Sequence, residues 1–224
     1  SSNATPITIV IYRTNAVQVL SVKEIEVKED TFNTATGSAS VTDSDVNDSH
    51  TYSILSDSKE VVTLKGSYGT LVINKTTGQY TYTLDNSNAN VQGLDANSKP
   101  LTDTFTIRVK DSYGAWSDAS LTVSIDGTND APTFSTASIV TDVTEVGVGT
   151  PYGNTTNAGV PSVNGQIVAE DRDFNEEHTY HFKLSNGSYA NTITTDYGTV
   201  TIDATTGKYS YTLNNDANMV NALK

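Results

Sequence analysis

The chain has 224 residues, of which Lys and Arg contribute 13 and Asp and Glu 26, so its formal net charge is −13 at pH 7. This charge argues against nucleic acids and anionic membranes as partners, because both would repel the protein. The negative charge would attract divalent cations as ligands, although it could also do no more than keep the protein soluble. The absence of cysteine excludes disulfides, thiolate nucleophiles and cysteine-bound metals. No apolar run approaches the roughly 18 residues of a membrane span, so we expect no membrane insertion.

Apolar and polar residues alternate with a period of two in many segments, as in strands with one buried face. The inward residues of the first half are Ile7, Ile9 and Ile11; Tyr80, Tyr82 and Leu84; Phe105, Ile107 and Val109; and Leu121, Val123 and Ile125. Those of the second half are Tyr180, Phe182 and Leu184; Val200 and Ile202; and Tyr209, Tyr211 and Leu213. The intervening turn signals are Thr77-Gly78, Ser112-Tyr113-Gly114, Thr206-Gly207, and the hairpin-type pairs Asn164-Gly165 and Asn186-Gly187.

Short strands about ten residues apart, without a long helical period, indicate antiparallel sandwiches with Greek-key connections. We therefore predict an all-β fold. One short helical turn is expected within residues 86–96, with Val91 and Leu94 pointing inward. Residues 147–164 lack strand alternation, and we predict an exposed loop there.

The sequence is a tandem repeat. Residues 37–94 and 165–223 contain the same motifs in the same order at a shift of 128 to 129 residues, as Asp43 to Asp171 and Tyr68 to Tyr197 illustrate. A repeat of this length is too long for a solenoid step and has the size of an independent domain. The chain is therefore predicted to consist of successive domains.

We predict three segments. Residues 1–15 comprise a tag remnant and the last strand of a preceding repeat, residues 16–131 form the first complete repeat, and residues 132–224 form a second repeat that lacks its final strands. The linker Gly127-Thr128-Asn129-Asp130-Ala131-Pro132 is short, and we expect it to be stiff because proline restricts the backbone.

Two pairs of aspartates, Asp43 with Asp45 and Asp171 with Asp173, directly follow predicted strands. In an extended chain, residues i and i+2 point to the same side, so both carboxylates of a pair can face one point. Asp and Asn also favour turns for backbone reasons alone. We favour metal binding because the pair recurs at the same register in both repeats and an Asn-Asp sequence lies in the linker.

Catalysis has little support in the sequence. No nucleophile elbow, metalloprotease helix, phosphate loop or dinucleotide fingerprint occurs. His50 and His178 fall at matching predicted strand starts, which the repeat itself explains. The four repeated tyrosines could line a sugar site, but their alternation with threonine favours the core, and Trp116 is the aromatic residue expected to be most exposed. We predict that the protein is not an enzyme.

Several motifs in order resemble the VCBS repeat of large bacterial RTX-type adhesins. They are Tyr68-Gly69-Thr70-Leu71-Val72-Ile73, residues 77–86, residues 102–111 and Gly127-Thr128-Asn129-Asp130-Ala131-Pro132. The resemblance covers one full repeat and the first two thirds of another. It implies tandem cadherin-like or immunoglobulin-like antiparallel Greek-key β-sandwiches on a secreted or bacterial cell-surface protein.

The cadherin relationship of such repeats implies Ca²⁺ between domains. The residues that match its motifs are Asp171, Asp173, Asn129 and Asp130 at the linker, and Asp43, Asp45 and Asp111 in the first repeat. Glu29 occupies the place of a bridging acid. The first linker reads Thr14-Asn15-Ala16 and lacks the aspartate, so a weaker site is expected there.

The function implied is a calcium-rigidified structural extender in an adhesin that supports cell adhesion or biofilm formation. Its partners would be neighbouring repeats of the same polypeptide, with host or biofilm glycans or proteins bound through other regions. The alternative is a glycan- or protein-binding module that uses exposed loops of the sandwich.

Overall fold

The chain divides into two compact units, Ser1–Asn129 and Asp130–Lys224, called unit 1 and unit 2. A computed structural model describes residues 8–10, 14–45, 47–135, 142–145, 159–217 and 220. The described residues form strands, turns and irregular segments, with a single four-residue helix, as the all-β prediction requires. No helix in these ranges is long and apolar enough to cross a membrane.

Unit 1 is a sandwich of a five-stranded and a four-stranded sheet, with a small two-stranded sheet beside them. Its elements are β1 Val19–Ser21, β2 Ile25–Lys28, β3 Thr34–Ser38, β4 Ser40–Thr42, β5 His50–Ser56, β6 Lys59–Val61, β7 Thr63–Lys65, β8 Gly69–Ile73, β9 Gln79–Leu84, α1 Ala89–Gln92, β10 Leu101–Asp111 and β11 Trp116–Asp126. The strand orders are β2-β11-β10-β5-β6, β3-β9-β8-β7 and β1-β4, and only β2 and β11 pair in parallel.

The core of unit 1 lies between the two larger sheets. The predicted inward residues of β9, β10 and β11 are buried, and Tyr82, Ile107 and Leu121 have no exposed surface. The tyrosines of β9 are therefore core residues, which confirms their interpretation. The short helix α1 also lies where it was predicted, with Val91 and Leu94 buried and Asn88 capping its first turn through a 2.9 Å bond from Asn90 N–H.

One buried carboxylate ties the two sheets of unit 1 together. Asp103 on β10 is 3% exposed and accepts hydrogen bonds from the backbone N–H groups of Ser67 and Tyr68 at 2.8 and 3.1 Å. It also accepts the hydroxyl of Tyr82 on β9 at 2.7 Å. Burial, and then this hydrogen bond, raise the pKa of the Tyr82 hydroxyl far above its ordinary value.

Unit 2 repeats the four-stranded sheet of unit 1. Its strands are β12 Thr133–Phe134, β13 Ser162–Gln166, β14 Ala169–Glu170, β15 Phe182–Lys183, β16 Tyr189–Ala190, β17 Thr192–Thr194, β18 Gly198–Ile202 and β19 Lys208–Leu213. The order β13-β19-β18-β17 matches β3-β9-β8-β7, and β12 pairs with β14 and β15 with β16. The strand predicted around Tyr180, Phe182 and Leu184 is limited to Phe182 and Lys183.

The loop predicted at 147–164 was wrong at its end. Residues 162–166 form β13, and Asn164-Gly165 lies inside this strand rather than at a hairpin turn. The glycine is needed there because the ring of Tyr209 on the neighbouring strand occupies the space of a Cβ atom at position 165. Gly37 on β3 has the same relationship to Tyr80 on β9. Val163 is the one apolar residue of β13, so this strand has too little alternation of apolar and polar residues to be recognised from the sequence.

Two other predictions concern residues with little or no described structure. Residues 147–158 lie outside the described part of the chain, as do Ile7 and Ile11 of the strand predicted near the N-terminus. The described residues 8–10 belong to no strand, and Ile9 is 81% exposed. His178 was expected at a strand start, but it lies in irregular structure before β15, whereas His50 does begin β5.

Candidate metal centres

The aspartate pair of unit 1 lies in a tight loop between β4 and β5. The backbone N–H of Asp45 donates to Asp43 Oδ1 at 2.9 Å, which closes the first turn after the strand. Asn47 then adopts a left-handed backbone conformation with φ 70° and turns the chain back. His50, at the start of β5, lies with Nε2 3.0 Å from Asp43 Oδ2.

This loop faces the end of β10, where Asp111 is held by several donors. Backbone N–H groups of Tyr113 and Ala115 donate to its Oδ1 at 2.8 and 2.9 Å, and Asn15 Nδ2 donates to its Oδ2 at 2.9 Å. One carboxylate oxygen each of Asp43, Asp48 and Asp111 lies within 4.8 Å of the other two. The resulting cluster, here called the unit 1 acidic group, offers only oxygen ligands.

Hydrogen bonds lower the pKa of two carboxylates of this group, Asp43 and Asp111. The pKa of Asp43 is lowered chiefly by the backbone N–H of Asp45 and then by the side chain of His50. Burial raises the pKa of Asp111, but the donors on Asn15, Tyr113, Ala115 and the following turn outweigh it, so the pKa is lowered. Asp48 Oδ2 is removed from solvent and accepts no hydrogen bond. The group therefore combines charged carboxylates with an oxygen that has no donor.

Asp45 has a different position from its partner in the pair. Its Oδ2 accepts the backbone N–H of Ala16 at 2.7 Å, so it anchors the segment that enters unit 1. It does not belong to the acidic group of Asp43, Asp48 and Asp111. Of the three ligands predicted for the first repeat, the structure thus brings Asp43 and Asp111 together and places Asp45 against the entering chain.

Glu29 lies at the opposite end of unit 1. It has no exposed surface, and its side chain accepts Gln92 Nε2 at 2.8 Å and the N–H of Thr128 at 3.3 Å. Its backbone N–H donates to Asp126 O at the end of β11. The 11 residues of β11 separate this end from the acidic group by roughly 33 Å. Asn129 follows directly after Thr128 and is exposed.

The aspartate pair of unit 2 repeats the loop of unit 1. The N–H of Asp173 donates to Asp171 Oδ1 at 3.1 Å, and Asn175 has the left-handed φ of 63°. The N–H of Asp130 donates to Asp173 Oδ2 at 2.7 Å, as Ala16 does to Asp45 in unit 1. Asp173 is 5% exposed. Its Oδ1, and Oδ2 of Asp171, are shielded from solvent and accept no hydrogen bond.

A polar cavity of about 440 Å³ lies beside this loop. Its lining within unit 2 includes Asp130 and Thr133 on one side and Glu170, Asp171 and Arg172 on the other. Asp171 of the predicted pair therefore borders an open space of polar character. Hydrated cations are the natural occupants of such a space.

Asp48 closely follows the first aspartate pair in the sequence, but the predicted ligand set did not include it. Asp48 is five residues from Asp43, a spacing that matches neither the strand nor the helix period. The left-handed turn at Asn47 brings its carboxylate close to Asp43. One signal was available, because an acid recurs at the corresponding position of the second repeat, Glu176. Both acids follow an asparagine with positive φ.

Among the comparisons with known proteins, the family match gives the type of domain. A family model described as bacterial cadherin-like domain matches residues 15–127, which is half of the chain. No curated protein matches.

Similar solved structures include three cadherin fragments. Human CDH23 EC21-23 is 16% identical with a TM-score of 0.46, and the match covers 88% of this chain and 54% of that one. Drosophila N-cadherin EC1-4 is 15% identical with a TM-score of 0.48, and the match covers 91% of this chain and 43% of that one. Mouse cadherin-23 EC22-24 is 15% identical with a TM-score of 0.48, and the match covers 92% of this chain and 57% of that one. The chain thus spans about half the length of these structures. On the strength of the family match, the chain belongs to the bacterial cadherin-like domain family.

Proposed function

We propose that the chain is a calcium-binding structural extender of a secreted or cell-surface bacterial adhesin. Calcium would be held by Asp43 and Asp111 with Asp48 in unit 1, and by Asp171, Asp173 and Asp130 in unit 2. Asp45, Asn129 and Glu29, which the resemblance also implies, would complete the ligand sets or orient them. The VCBS and RTX relationship and a role in biofilm formation belong to this proposal.

The observation that carries the proposal is the state of Asp173. Its side chain is 5% exposed, and only one of its carboxylate oxygens is paired, with the Asp130 N–H. Leaving a buried carboxylate oxygen without a donor costs about 1 to 3 kcal/mol or more. A bound cation removes this cost. The neighbouring Asp171 Oδ2 has the same need, so two oxygens of one loop require the same kind of partner.

Calcium is the cation that suits these ligands best. It takes about six to eight oxygens from carboxylates, amides, backbone carbonyls and water, and tolerates irregular geometry. The unit 1 acidic group has oxygen ligands only. The protein carries a formal charge of −13, so attraction of cations is general as well as local.

Binding would stiffen the chain because the ligands lie next to the linker. The linker residue Asp130 is already anchored to Asp173 through its N–H, and it is covalently joined to Asn129 at the end of unit 1. An ion that joins Asp130 to the Asp171 and Asp173 loop would restrict the same few bonds further. Without the ion, like charges repel one another and the linker gains freedom.

The proposal is tested by calorimetric Ca²⁺ titration of the whole chain and of two variants. Asp173→Asn keeps the size of the side chain and removes its charge, whereas Asp196→Asn makes the same change at an exposed position of unit 2. We expect the parent and Asp196→Asn to bind Ca²⁺ alike and Asp173→Asn to lose at least one event. Equal binding by all three proteins would contradict the ligand assignment.

The alternative of a binding module makes a different prediction. An extender stiffens with Ca²⁺ but does not capture a glycan or a host protein, whereas a binding module does so with its loops. Small-angle scattering with and without Ca²⁺, together with glycan-array binding of the isolated chain, separates the two. Glycan capture without a calcium-dependent change in scattering would favour the binding module.

A further inference from the structure

A second kind of metal-ligand cluster lies in unit 2. One ligand atom each of Asp171, Glu176 and His178 lies within 4.8 Å of the other two. All three residues belong to the segment between β14 and β15. Asn175, with φ 63°, reverses the chain so that Glu176 and His178 return towards Asp171. Unlike the unit 1 acidic group, this cluster includes an imidazole nitrogen.

We propose that Asp171, Glu176 and His178 form a site for a divalent metal of the zinc class. Imidazole is a preferred ligand of Zn²⁺, Ni²⁺ and Cu²⁺, whereas Ca²⁺ takes oxygen ligands almost exclusively. Two carboxylates and one imidazole supply three protein ligands, and water would complete a four-coordinate zinc site. Ligand atoms in such a site lie about 3 to 3.5 Å apart, since each metal bond is about 2.0 to 2.1 Å long. Small side-chain rotations would close the present cluster to that spacing.

The state of Asp171 also points to a cation at this cluster. Asp171 Oδ1 accepts the N–H of Asp173, but Asp171 Oδ2 is shielded from solvent and accepts no hydrogen bond. The nearby Asp173 is 5% exposed, and one of its carboxylate oxygens likewise accepts no hydrogen bond. Buried carboxylate oxygens are normally satisfied, so two exceptions in one loop point to a bound cation.

The clusters of the two repeats differ in the ligands that they bring together. His50 and His178 occupy corresponding positions, and in unit 1 Nε2 of His50 is paired with Asp43 at 3.0 Å. There the third ligand beside Asp43 and Asp48 is the carboxylate of Asp111. In unit 2 the third ligand is His178 itself. An imidazole thus lies beside the loop in both repeats, but among the described residues it forms a cluster of three ligands with the first aspartate and the acid after the asparagine only in unit 2.

The test is a Zn²⁺ titration of the whole, metal-free chain, followed by calorimetry and by the ring signals of its three histidines in NMR spectra. Two variants form a matched pair. His178→Asn removes the ligand, and His181→Asn removes an exposed histidine three residues away whose Nδ1 lies 2.9 Å from Asn191 Oδ1. We expect Zn²⁺ to move the His178 signals first. We also expect His178→Asn to lower the Zn²⁺ affinity at least tenfold and His181→Asn to leave it unchanged.

Glu176→Gln provides a second variant at an exposed position, where loss of folding is not expected. It should also weaken Zn²⁺ binding, with an unchanged circular dichroism spectrum. Absence of Zn²⁺ binding, equal affinity of His178→Asn and the parent, or a first response at His50 would each overturn the proposal.

This inference shares only Asp171 with the calcium ligands proposed above, so the two can fail separately. His178→Asn should keep the calcium response that Asp173→Asn loses. A chain that binds Zn²⁺ through His178 but shows no calcium event would contradict the proposed function and leave the zinc site standing.

Discussion

The backbone N–H of Asp130 donates to Oδ2 of Asp173 at 2.7 Å, and this bond anchors the start of unit 2 to its acidic loop. The equivalent bond in unit 1 joins Ala16 to Asp45 at the same distance. Position 16 has no carboxylate, so the anchor itself does not depend on an acidic linker residue. The side chain of Asp130 is therefore not required for this anchor, and metal binding is the role that we propose for it.

Asp130→Ala separates these two purposes. The variant keeps the backbone N–H that Asp173 accepts but loses the side-chain carboxylate. We expect an unchanged melting temperature without Ca²⁺ and a Ca²⁺ affinity lowered about tenfold, because one charged ligand is missing. Differential scanning calorimetry with chelator and calorimetric Ca²⁺ titration measure the two quantities. A large loss of stability in chelator would show that the carboxylate itself holds the fold.

Asp43 should make unit 1 sensitive to acid. Its pKa in the folded protein is lowered from 3.8, first by the Asp45 N–H and then by His50, so the ionised form is favoured by folding. The stability it contributes is present above pH 3.8 and is lost as the pH falls through the lower pKa of the folded state. We expect Asp43→Asn to have a smaller loss of urea midpoint between about pH 4 and pH 2 than the parent.

The control for this experiment is Glu24→Gln, which removes a carboxylate from an exposed position of unit 1. It should keep the acid sensitivity of the parent. Identical pH profiles of the parent and Asp43→Asn would contradict the role assigned to Asp43.

The bond between Tyr82 and Asp103 should contribute to the stability of unit 1. Tyr82→Phe removes the 2.7 Å hydrogen bond and leaves Asp103 with the N–H groups of Ser67 and Tyr68. We expect a loss of about 1 to 2 kcal/mol in the free energy of unfolding, because the acceptor is buried and charged. Tyr113→Phe, at a residue that is 71% exposed, should change the free energy of unfolding much less. Equal urea midpoints for the two variants would contradict this account.

Trp116 offers a spectroscopic test of the outer face of unit 1, since it is the only tryptophan of the chain. It is 50% exposed, and the prediction that it is the most exposed aromatic residue was wrong, because Tyr113 is 71% exposed. The guanidinium carbon of Arg108 lies 3.8 Å from its ring centroid, and Asp118 holds the guanidinium with two bonds of 2.7 and 2.8 Å. Arg108→Ala should move the fluorescence maximum to longer wavelength and cost about 0.5 to 1 kcal/mol. Lys65→Ala, a cation removed from the other sheet, should leave the spectrum unchanged. An unchanged spectrum in Arg108→Ala would argue against the stacking.

Local patterns predicted the fold well where they were strong. Tyr80 and Tyr82 alternate with threonines and are buried, and Val91 marks the one helical turn. The strand at 162–166 was missed because it has one inward apolar residue and because Asn-Gly usually signals a turn. Gly165 leaves room for the ring of Tyr209 on the neighbouring strand, a contact that the local sequence does not reveal.

The candidate sites were predictable only in part, because contacts distant in sequence build them. The family resemblance related Asp43 to Asp111, which the structure brings together. Asp48 joins them through the backbone conformation of Asn47, and no periodicity encodes that turn. His178 was interpreted as a consequence of the repeat, and the structure places it beside Asp171 and Glu176, as it places His50 beside Asp43. Side-chain convergence of this kind depends on the folded loop and not on spacing alone.

The central claim is that Ca²⁺ binds the folded chain through its acidic loops, and thermal unfolding tests it most directly. The melting temperature of the whole chain should be measured in chelator and in Ca²⁺ at about 10 to 100 mM, with Mg²⁺ at equal ionic strength as the control for general screening. If the dissociation constant is about 10⁻⁴ to 10⁻³ M, as in extracellular modules, Ca²⁺ at about 100 times that value adds about 2.7 kcal/mol per site. We therefore predict a melting temperature several degrees higher in Ca²⁺ than in Mg²⁺. Equal melting temperatures in chelator, Mg²⁺ and Ca²⁺ would contradict the claim.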